Sequence, residues 1–224
     1  LYNQLIPAFC DDPKRRCDIS TFVAASNRVV EQDARDFVDA WNAGLIEHQG
    51  HGRYRAAQSA ASEQFFWTGR NVPGVRSFTL WMEPVITVAA LGRLHHRHQW
   101  PKHLIGTQSA DWAFDVVTVL PDRQGESIAG EVKKTRREVD QLIALMEHFG
   151  REPDFIEPTN SGKERNAYKK MAALRLRRAP IFWAVGPDGY NKVFRVAYND
   201  DGSVNLAPSD DSALNFPASG NMKL

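Results

Sequence analysis

The hydrophobic pattern of the chain is most regular in its central part, where strand-like and helix-like segments alternate. Two apolar runs, at residues 114–120 and 126–133, flank the turn-forming segment P-D-R-Q-G, so the pattern predicts a β-hairpin. Apolar positions at helical spacing then predict an amphipathic helix over residues 137–149. A continuous apolar run at residues 181–185 predicts a fully buried strand.

Further elements are predicted on both sides of this hairpin. The pair Glu83-Pro84 opens a predicted helix well, because an acid and a proline are both favoured in the first turn. Residues 104–107 predict a short strand, residues 164–178 a basic helix, and residues 193–196 an alternating strand.

The first third of the chain has a weaker pattern. Apolar positions recur there at helical spacing and predict a helix from about residue 20 to residue 43, with a break near Asn27. The tail from Asp200 predicts a loop. We therefore expect an α/β fold in which a mixed central sheet flanked by helices, residues 76–224, follows a helical N-terminal extension, residues 1–75.

Composition narrows the class of protein. The 224 residues are 42% hydrophobic and 25% charged, as in ordinary globular proteins, and no apolar run approaches the ~20 residues needed to span a bilayer. We expect no membrane partner and a cytoplasmic location. Cys10 and Cys17 do not make a disulfide framework. The net charge of +1 excludes a strongly basic, non-specific nucleic-acid binder.

Candidate chemistry lies on the predicted hairpin. A five-residue loop places Leu120 opposite Glu126 and Asp115 opposite Glu131. Side chains alternate along a strand, so Lys133 shares the face of Glu131 while Val132 points to the other face. Two carboxylates and one ammonium group are therefore expected to converge on one patch.

This patch favours a bound cation. Opposed carboxylates repel each other unless a positive charge lies between them, and hard oxygen ligands suit Mg²⁺ or Mn²⁺. Asp115 is embedded in an apolar run, where an unpartnered charge is costly. Ala129 and Gly130 are small, which we interpret as room for a ligand.

The arrangement resembles the PD-(D/E)XK, or restriction-endonuclease-like, nuclease superfamily. Asp115 matches the acid of the first strand, and Glu131-Val132-Lys133 matches the Glu-X-Lys of the next. Phe114 replaces the proline of the family's name. The resemblance covers roughly residues 83–196, and the predicted order of helix, three strands, helix and strand is that of the family's core.

The resemblance implies a metal-dependent endonuclease that hydrolyses DNA phosphodiester bonds. Asp115 and Glu131 would hold one or two Mg²⁺ (or Mn²⁺) ions, with the carbonyl of Val132 as a further ligand. Lys133 would orient the attacking water or stabilise the developing charge. Glu83, on the helix before the strands, is the candidate for an additional metal-holding acid, with Glu63 second.

Basic residues that could contact DNA phosphates follow the site in two groups. These predicted nucleic-acid-binding residues are Lys134, Arg136, Arg137, Lys169 and Lys170. A solvated helix face explains the second group equally well. Three hypotheses about the function remain open. The first is a nuclease, of the restriction type or another. The second is a nuclease-like fold that has lost cleavage and serves as a nucleic-acid-binding or assembly module, and the third is an unrelated α/β domain. A homodimer is also an open possibility.

Overall fold

The computed structural model describes residues 2–24, 29–121, 125–152, 156–159 and 162–217. The described residues form five α-helices and twelve strands. The helices are α1 Tyr2–Cys10, α2 Glu31–Asn42, α3 Met82–His96, α4 Arg136–Arg151 and α5 Gly162–Arg177. The strands are β1 Cys17–Phe22, β2 Ile46–His48, β3 Arg53–Ala56, β4 Glu63–Gln64, β5 Phe66–Thr68, β6 Arg76–Leu80, β7 Ile105–Thr107, β8 Val116–Val119, β9 Glu126–Val132, β10 Ile181–Val185, β11 Asn191–Tyr198 and β12 Val204–Ser209.

The largest sheet has six strands in the order β12-β11-β10-β9-β8-β7. Its neighbours pair antiparallel except β9 and β10, which are parallel and are connected through α4 and α5. A parallel pair needs such a crossover, because a tight turn can only return an antiparallel strand. The expected α/β class, with a mixed sheet flanked by helices, is confirmed.

The hairpin of β8 and β9 has the predicted register at the end that carries the candidate site. Val116 lies opposite Gly130, and the N–H of Asp115 donates to the carbonyl of Gly130 at 2.9 Å. Near the turn, an irregularity brings Val119 opposite Glu126, so the expected pairing with Leu120 is wrong by one residue. Residues 122–124 of the predicted turn lie outside the described residues.

The two faces of the large sheet are covered by different helices. Helix α3 packs on one face, where Val116, Ile128 and Val132 join its apolar side chains in one buried cluster. Helices α4 and α5 share a second buried cluster, which includes Val117 and Ala129 from the other face. Period-two alternation along β8 and β9 thus separates the two cores and places Glu131, which shares a face with Ala129, on the α4–α5 side.

The N-terminal third contains two three-stranded sheets besides its helices, with orders β1-β6-β5 and β2-β3-β4. The expectation of a helical extension is therefore wrong in part: residues 20–22 belong to β1, and the helix begins only at Glu31. Strand β1 pairs in parallel with β6, some 55 residues away, and such a long-range partner leaves no local signal. Asn27 lies outside the described residues.

The tail is also more ordered than its pattern predicts. Strand β12 pairs antiparallel with β11 and forms one edge of the large sheet. It contains Pro208, which lacks the N–H of a regular strand residue and is tolerated at an edge. Within the described residues, no helix combines the length and the apolarity needed to cross a bilayer.

Candidate active site

Asp115 lies just before β8 and faces the end of β9. Its Oδ2 accepts a hydrogen bond from the N–H of Val132 at 2.8 Å, which fixes the carboxyl against the neighbouring strand. Burial, and after it the charge of Glu131, raise the pKa of Asp115 to about 7, although Lys170, Lys133 and the Val132 N–H favour its ionised form. The raised pKa shows that the two acids are close enough to repel each other.

Glu131 is 2% exposed and lies between two lysines. Its Oε1 is 2.6 Å from Nζ of Lys133, and its Oε2 is 2.6 Å from Nζ of Lys170. Burial alone would raise the pKa of Glu131, but the two adjacent ammonium groups outweigh it and lower the pKa. Glu131 is therefore ionised at neutral pH.

Lys133 links this buried group to solvent. Its side chain is 19% exposed and donates to Glu131. Burial would lower the pKa of Lys133, but Glu131 and then Asp115 raise it to about 12. We call Asp115, Glu131, Lys133 and Lys170 the lysine cluster; the sequence predicted that the first three converge, and the structure brings them together.

An open cleft of about 420 Å³ lies beside the lysine cluster. Its lining residues come from the start of α3, the end of β9, α4 and α5: Glu83, Lys133, Glu138, Gln141, Leu142, Leu145, Gly162, Lys163 and Asn166. Glu83 accepts a hydrogen bond from Nε1 of Trp81 at 3.1 Å. Burial raises the pKa of Glu83, Glu131 raises it further, and Lys133 opposes both effects.

The two small residues before Glu131, Ala129 and Gly130, have a packing role. We expected them to leave room for a ligand, but neighbouring side chains fill the space. A Cβ on Gly130 would lie 2.9 Å from Cβ of Val116 on the paired strand, closer than two such atoms approach. Ala129 is fully buried against the α4–α5 core. Val132 is also fully buried, in the cluster beneath α3.

Four of the five predicted nucleic-acid-binding residues lie on the surface. Lys134 and Arg137 are exposed at the start of α4. Arg136 pairs with Asp188 at 3.0 Å, and Lys169 is 59% exposed with Nζ 3.9 Å from Glu157 Oε1.

Lys170, the fifth of the predicted nucleic-acid-binding residues, lies beside the acids and not on the surface. Lys170 is 6% exposed and belongs to the lysine cluster. The sequence contained a signal for this position: Lys170 falls on the same stripe of α5 as Ala167, Met171 and Leu174, which are all buried. A lysine on an apolar stripe needs a buried partner, and Glu131 is that partner.

The acids of the site form a pair. Across the ranges that the structure describes, no three or more His, Cys, Asp or Glu side chains are grouped as a metal site would require. A pair of carboxylates still fits Mg²⁺, which commonly keeps several waters and binds through one or two carboxylates and a substrate phosphate. The repulsion between Asp115 and Glu131 is a further reason for a cation to bind here.

Comparison with family models, with curated proteins and with solved structures finds no match to this chain. Its function has to be inferred from the site.

Proposed function

We propose that this protein is a Mg²⁺-dependent endonuclease of the PD-(D/E)XK type that hydrolyses DNA phosphodiester bonds. The observation that carries the proposal is the convergence of Asp115, Glu131 and Lys133 on one face of a hairpin, beside an open cleft. Acids whose pKa values are shifted by burial and by neighbouring charges, set beside a cleft, are typical of catalytic sites.

The order of elements supports this proposal. Helix α3 precedes three antiparallel strands, β7, β8 and β9; helices α4 and α5 then lead to β10, which is parallel to β9. This order agrees with the helix, three strands, helix and strand that the resemblance implies, except that two helices lie between β9 and β10. Of the candidate residues, Lys133 lines the cleft, and Asp115 and Glu131 lie behind it at the same end of the hairpin.

The acids would hold the metal. Asp115 and Glu131 offer hard oxygen ligands, and the carbonyl of Val132 would add to them, whereas Glu83, the additional acid expected from the sequence, lines the cleft outside this pair. When bound, Mg²⁺ would activate a water molecule and offset the charge that develops on the phosphate. Glu131 supplies a carboxylate that is already ionised at neutral pH, because Lys170 and Lys133 lower its pKa.

Lys133 would act as a hydrogen-bond donor. With a pKa of about 12, its ammonium group stays protonated at neutral pH and cannot accept a proton from water. It can donate to a phosphate oxygen or orient the attacking water, since its Nζ lies between Glu131 and the cleft. Positive charge placed where negative charge develops is among the strongest contributions to catalysis.

DNA would reach the site along the walls of the cleft. Lys163, whose Nζ donates to Gln141 at 2.9 Å, lines the wall formed by α4 and α5. Lys134 is exposed next to the cleft and close enough to Glu83 to lower its pKa. These lysines would contact phosphates without reading the base sequence.

One observation favours a second candidate function. Both carboxylate oxygens of Glu131 are already paired with lysines, which would disfavour a metal there and suits a nuclease-like fold that has lost cleavage and binds nucleic acid only. Such a module would bind DNA but would not cut it in Mg²⁺.

Nicking of supercoiled plasmid separates the two functions. We expect nicking in Mg²⁺ that EDTA abolishes, and a rate about 10²–10³-fold lower for Lys133→Ala with nearly unchanged DNA affinity. Lys192→Ala is the matched control: it removes the same charge from a lysine that pairs with Asp140 at 2.9 Å on another face of α4.

Two results would decide against the nuclease. DNA binding without Mg²⁺-dependent nicking would favour the binding module. A Lys133→Ala variant that nicks at the parental rate would show that Glu131-Val132-Lys133 is not the active site, whatever the source of the cleavage.

A further inference from the structure

Lys170 is a buried cation whose only part in the proposed mechanism is to favour the ionised form of Glu131. It reaches the lysine cluster from α5, where it is 6% exposed. Its Nζ lies 2.6 Å from Oε2 of Glu131, donates to the carbonyl of Ala113 at 2.5 Å, and lies 5.6 Å from the ring centre of Phe114. Lysine is almost never buried unless it is paired, so these contacts account for its position.

The lysine cluster contains as many ammonium groups as acids, so no metal is needed to offset the acids. Asp115 and Glu131 supply two acids, and Lys133 and Lys170 supply two ammonium groups. Each oxygen of Glu131 has an ammonium group at 2.6 Å. A divalent cation on Glu131 would therefore meet a like charge at either oxygen, and one lysine would have to withdraw.

Of the two lysines, Lys170 is the one that would have to move away from Glu131 for a metal to bind there. Lys133 points toward the cleft, where the proposed mechanism needs it, whereas Lys170 approaches Glu131 from beneath. Asn166, one turn before Lys170 on the same side of α5, lines the cleft. A phosphate in the cleft would thus offer the flexible side chain of Lys170 a second anionic partner close to its present one.

We propose that Lys170 occupies the divalent-cation position at Glu131 in the metal-free protein and yields it when a nucleic-acid phosphate enters the cleft. Metal and DNA then bind cooperatively, and the free protein is kept from loading metal alone. This inference rests on the proposed nuclease function.

A purely structural role for Lys170 predicts a different change in metal affinity when the lysine is removed. Removing a lysine that only holds the fold should weaken metal binding or leave it unchanged, because the site would loosen. Removing a lysine that competes with the metal should strengthen metal binding in the absence of DNA. The sign of the change in metal affinity therefore distinguishes the two roles.

The experiment measures Mn²⁺ affinity by calorimetry, first with Mn²⁺ alone and then with a phosphorothioate-backbone duplex that resists hydrolysis. For the parental protein we expect the duplex to tighten Mn²⁺ binding about tenfold, within the usual range of coupling between two sites. For Lys170→Gln we expect Mn²⁺ alone to bind about tenfold tighter than to the parent, with the further effect of the duplex largely lost.

Three further variants complete the test. Lys192→Gln removes the same charge from a 43% exposed lysine that pairs with Asp140 away from the cleft, and it should behave as the parent. Lys170→Arg keeps the cation and should restore the coupling at least in part. Lys170→Met repeats the measurement with an apolar side chain of similar length, and urea unfolding in EDTA checks that both neutral variants are folded.

The outcomes separate this inference from the proposed function. If Lys170→Gln and Lys170→Met are folded and bind Mn²⁺ no more tightly than the parent, Lys170 does not compete with the metal, and the nuclease proposal is unaffected. If the parent binds no Mn²⁺ even with the duplex, the metal site itself is wrong and both proposals fall.

Discussion

The protein contains two groups of buried charges that use different chemistry. Besides the lysine cluster, Asp33, Asp36, Arg93 and Arg97 form what we call the arginine cluster. Arg93 is 4% exposed and lies 3.3 Å from Asp33 Oδ1 and 3.2 Å from Asp36 Oδ2, while Arg97 lies 2.9 Å from Asp36 Oδ1. Its members come from α2 and α3.

Shifted pKa values alone do not distinguish the two clusters. Burial raises the pKa of Asp33, as it does that of Asp115. The partners differ, however: Asp33 accepts a hydrogen bond from the N–H of Asp188 at 2.8 Å and pairs with an arginine, so it binds α2 to α3 and to the turn after β10. Asp115 faces another acid beside an open cleft.

The comparison indicates which features of a buried charge cluster point to a function. An arginine is always charged and holds carboxylates in a fixed, planar geometry, which suits a structural clamp. A lysine is compact and flexible and can exchange one anion for another. Opposed acids, mobile ammonium groups and access to solvent together indicate a functional cluster, whereas a shifted pKa by itself does not.

The largest effect that we predict for this contrast is on stability. Arg93→Met leaves two buried acids without their main cation, and we expect it to lower the free energy of unfolding by about 3–5 kcal/mol. Arg97→Met, at a 52% exposed position, is the control and should cost about 1 kcal/mol or less. Urea unfolding measures both.

If the two clusters have separate roles, the Arg93→Met protein should still nick DNA under conditions in which it is folded. If Arg93→Met and Arg97→Met were equally stable, the arginine cluster would not be a structural clamp. If folded Arg93→Met lost nicking as Lys133→Ala is expected to do, the two clusters would not have separate roles.

The second prediction concerns how the stability of the protein depends on pH through Asp115 of the lysine cluster. The pKa of Asp115 is about 7 in the metal-free folded protein, above the usual value of 3.8, so the folded state binds a proton that the unfolded state has lost. Stability in EDTA should therefore fall as the pH rises from about 4 to about 7. Asp115→Asn cannot ionise and should escape this loss.

At pH 8 we expect Asp115→Asn to be more stable than the parent by about 2 kcal/mol. At about 1.4 kcal/mol per pKa unit, the full shift of the Asp115 pKa would correspond to roughly twice this free energy. We halve the value because Asp115 is only half-buried. Urea unfolding in EDTA at pH 5 and pH 8 measures the difference. Asp111→Asn, at an 87% exposed side chain, should show no such gain, and an equal gain for both variants would contradict the assignment to Asp115.

Sequence reasoning located the pair of acids because the information was local. A short turn and period-two alternation determine which residues of a hairpin share a face, and the pairing of Val116 with Gly130 brings Asp115 close to Glu131. The pairing of β1 with β6 and the edge position of β12 depend on partners far along the chain, and the local pattern does not contain them.

Lys170 was missed for a related reason. Its partner Glu131 lies 39 residues earlier, with one predicted helix between them. The density of charge in α5 also made its polar face look continuous, although Lys170 falls on the stripe of Ala167, Met171 and Leu174. A basic residue on an apolar stripe is a better guide to a buried site than a run of basic residues is.

The smallest effect concerns Lys169, the exposed neighbour of Lys170. Its ammonium group is 59% exposed and only 3.9 Å from one surface acid, so it is free to contact a DNA phosphate. Lys169→Ala should weaken DNA binding a few-fold for all sequences and reduce the slope of log affinity against log salt by about 0.9, the value of one phosphate contact. The nicking rate at saturating DNA should stay at the parental value. Binding curves at several salt concentrations give the slope, and the control Lys192→Ala should leave it unchanged. A parental slope for Lys169→Ala would mean that DNA does not follow this face of α5. The phosphate contacts would then lie on the surface next to Lys134 and Lys163.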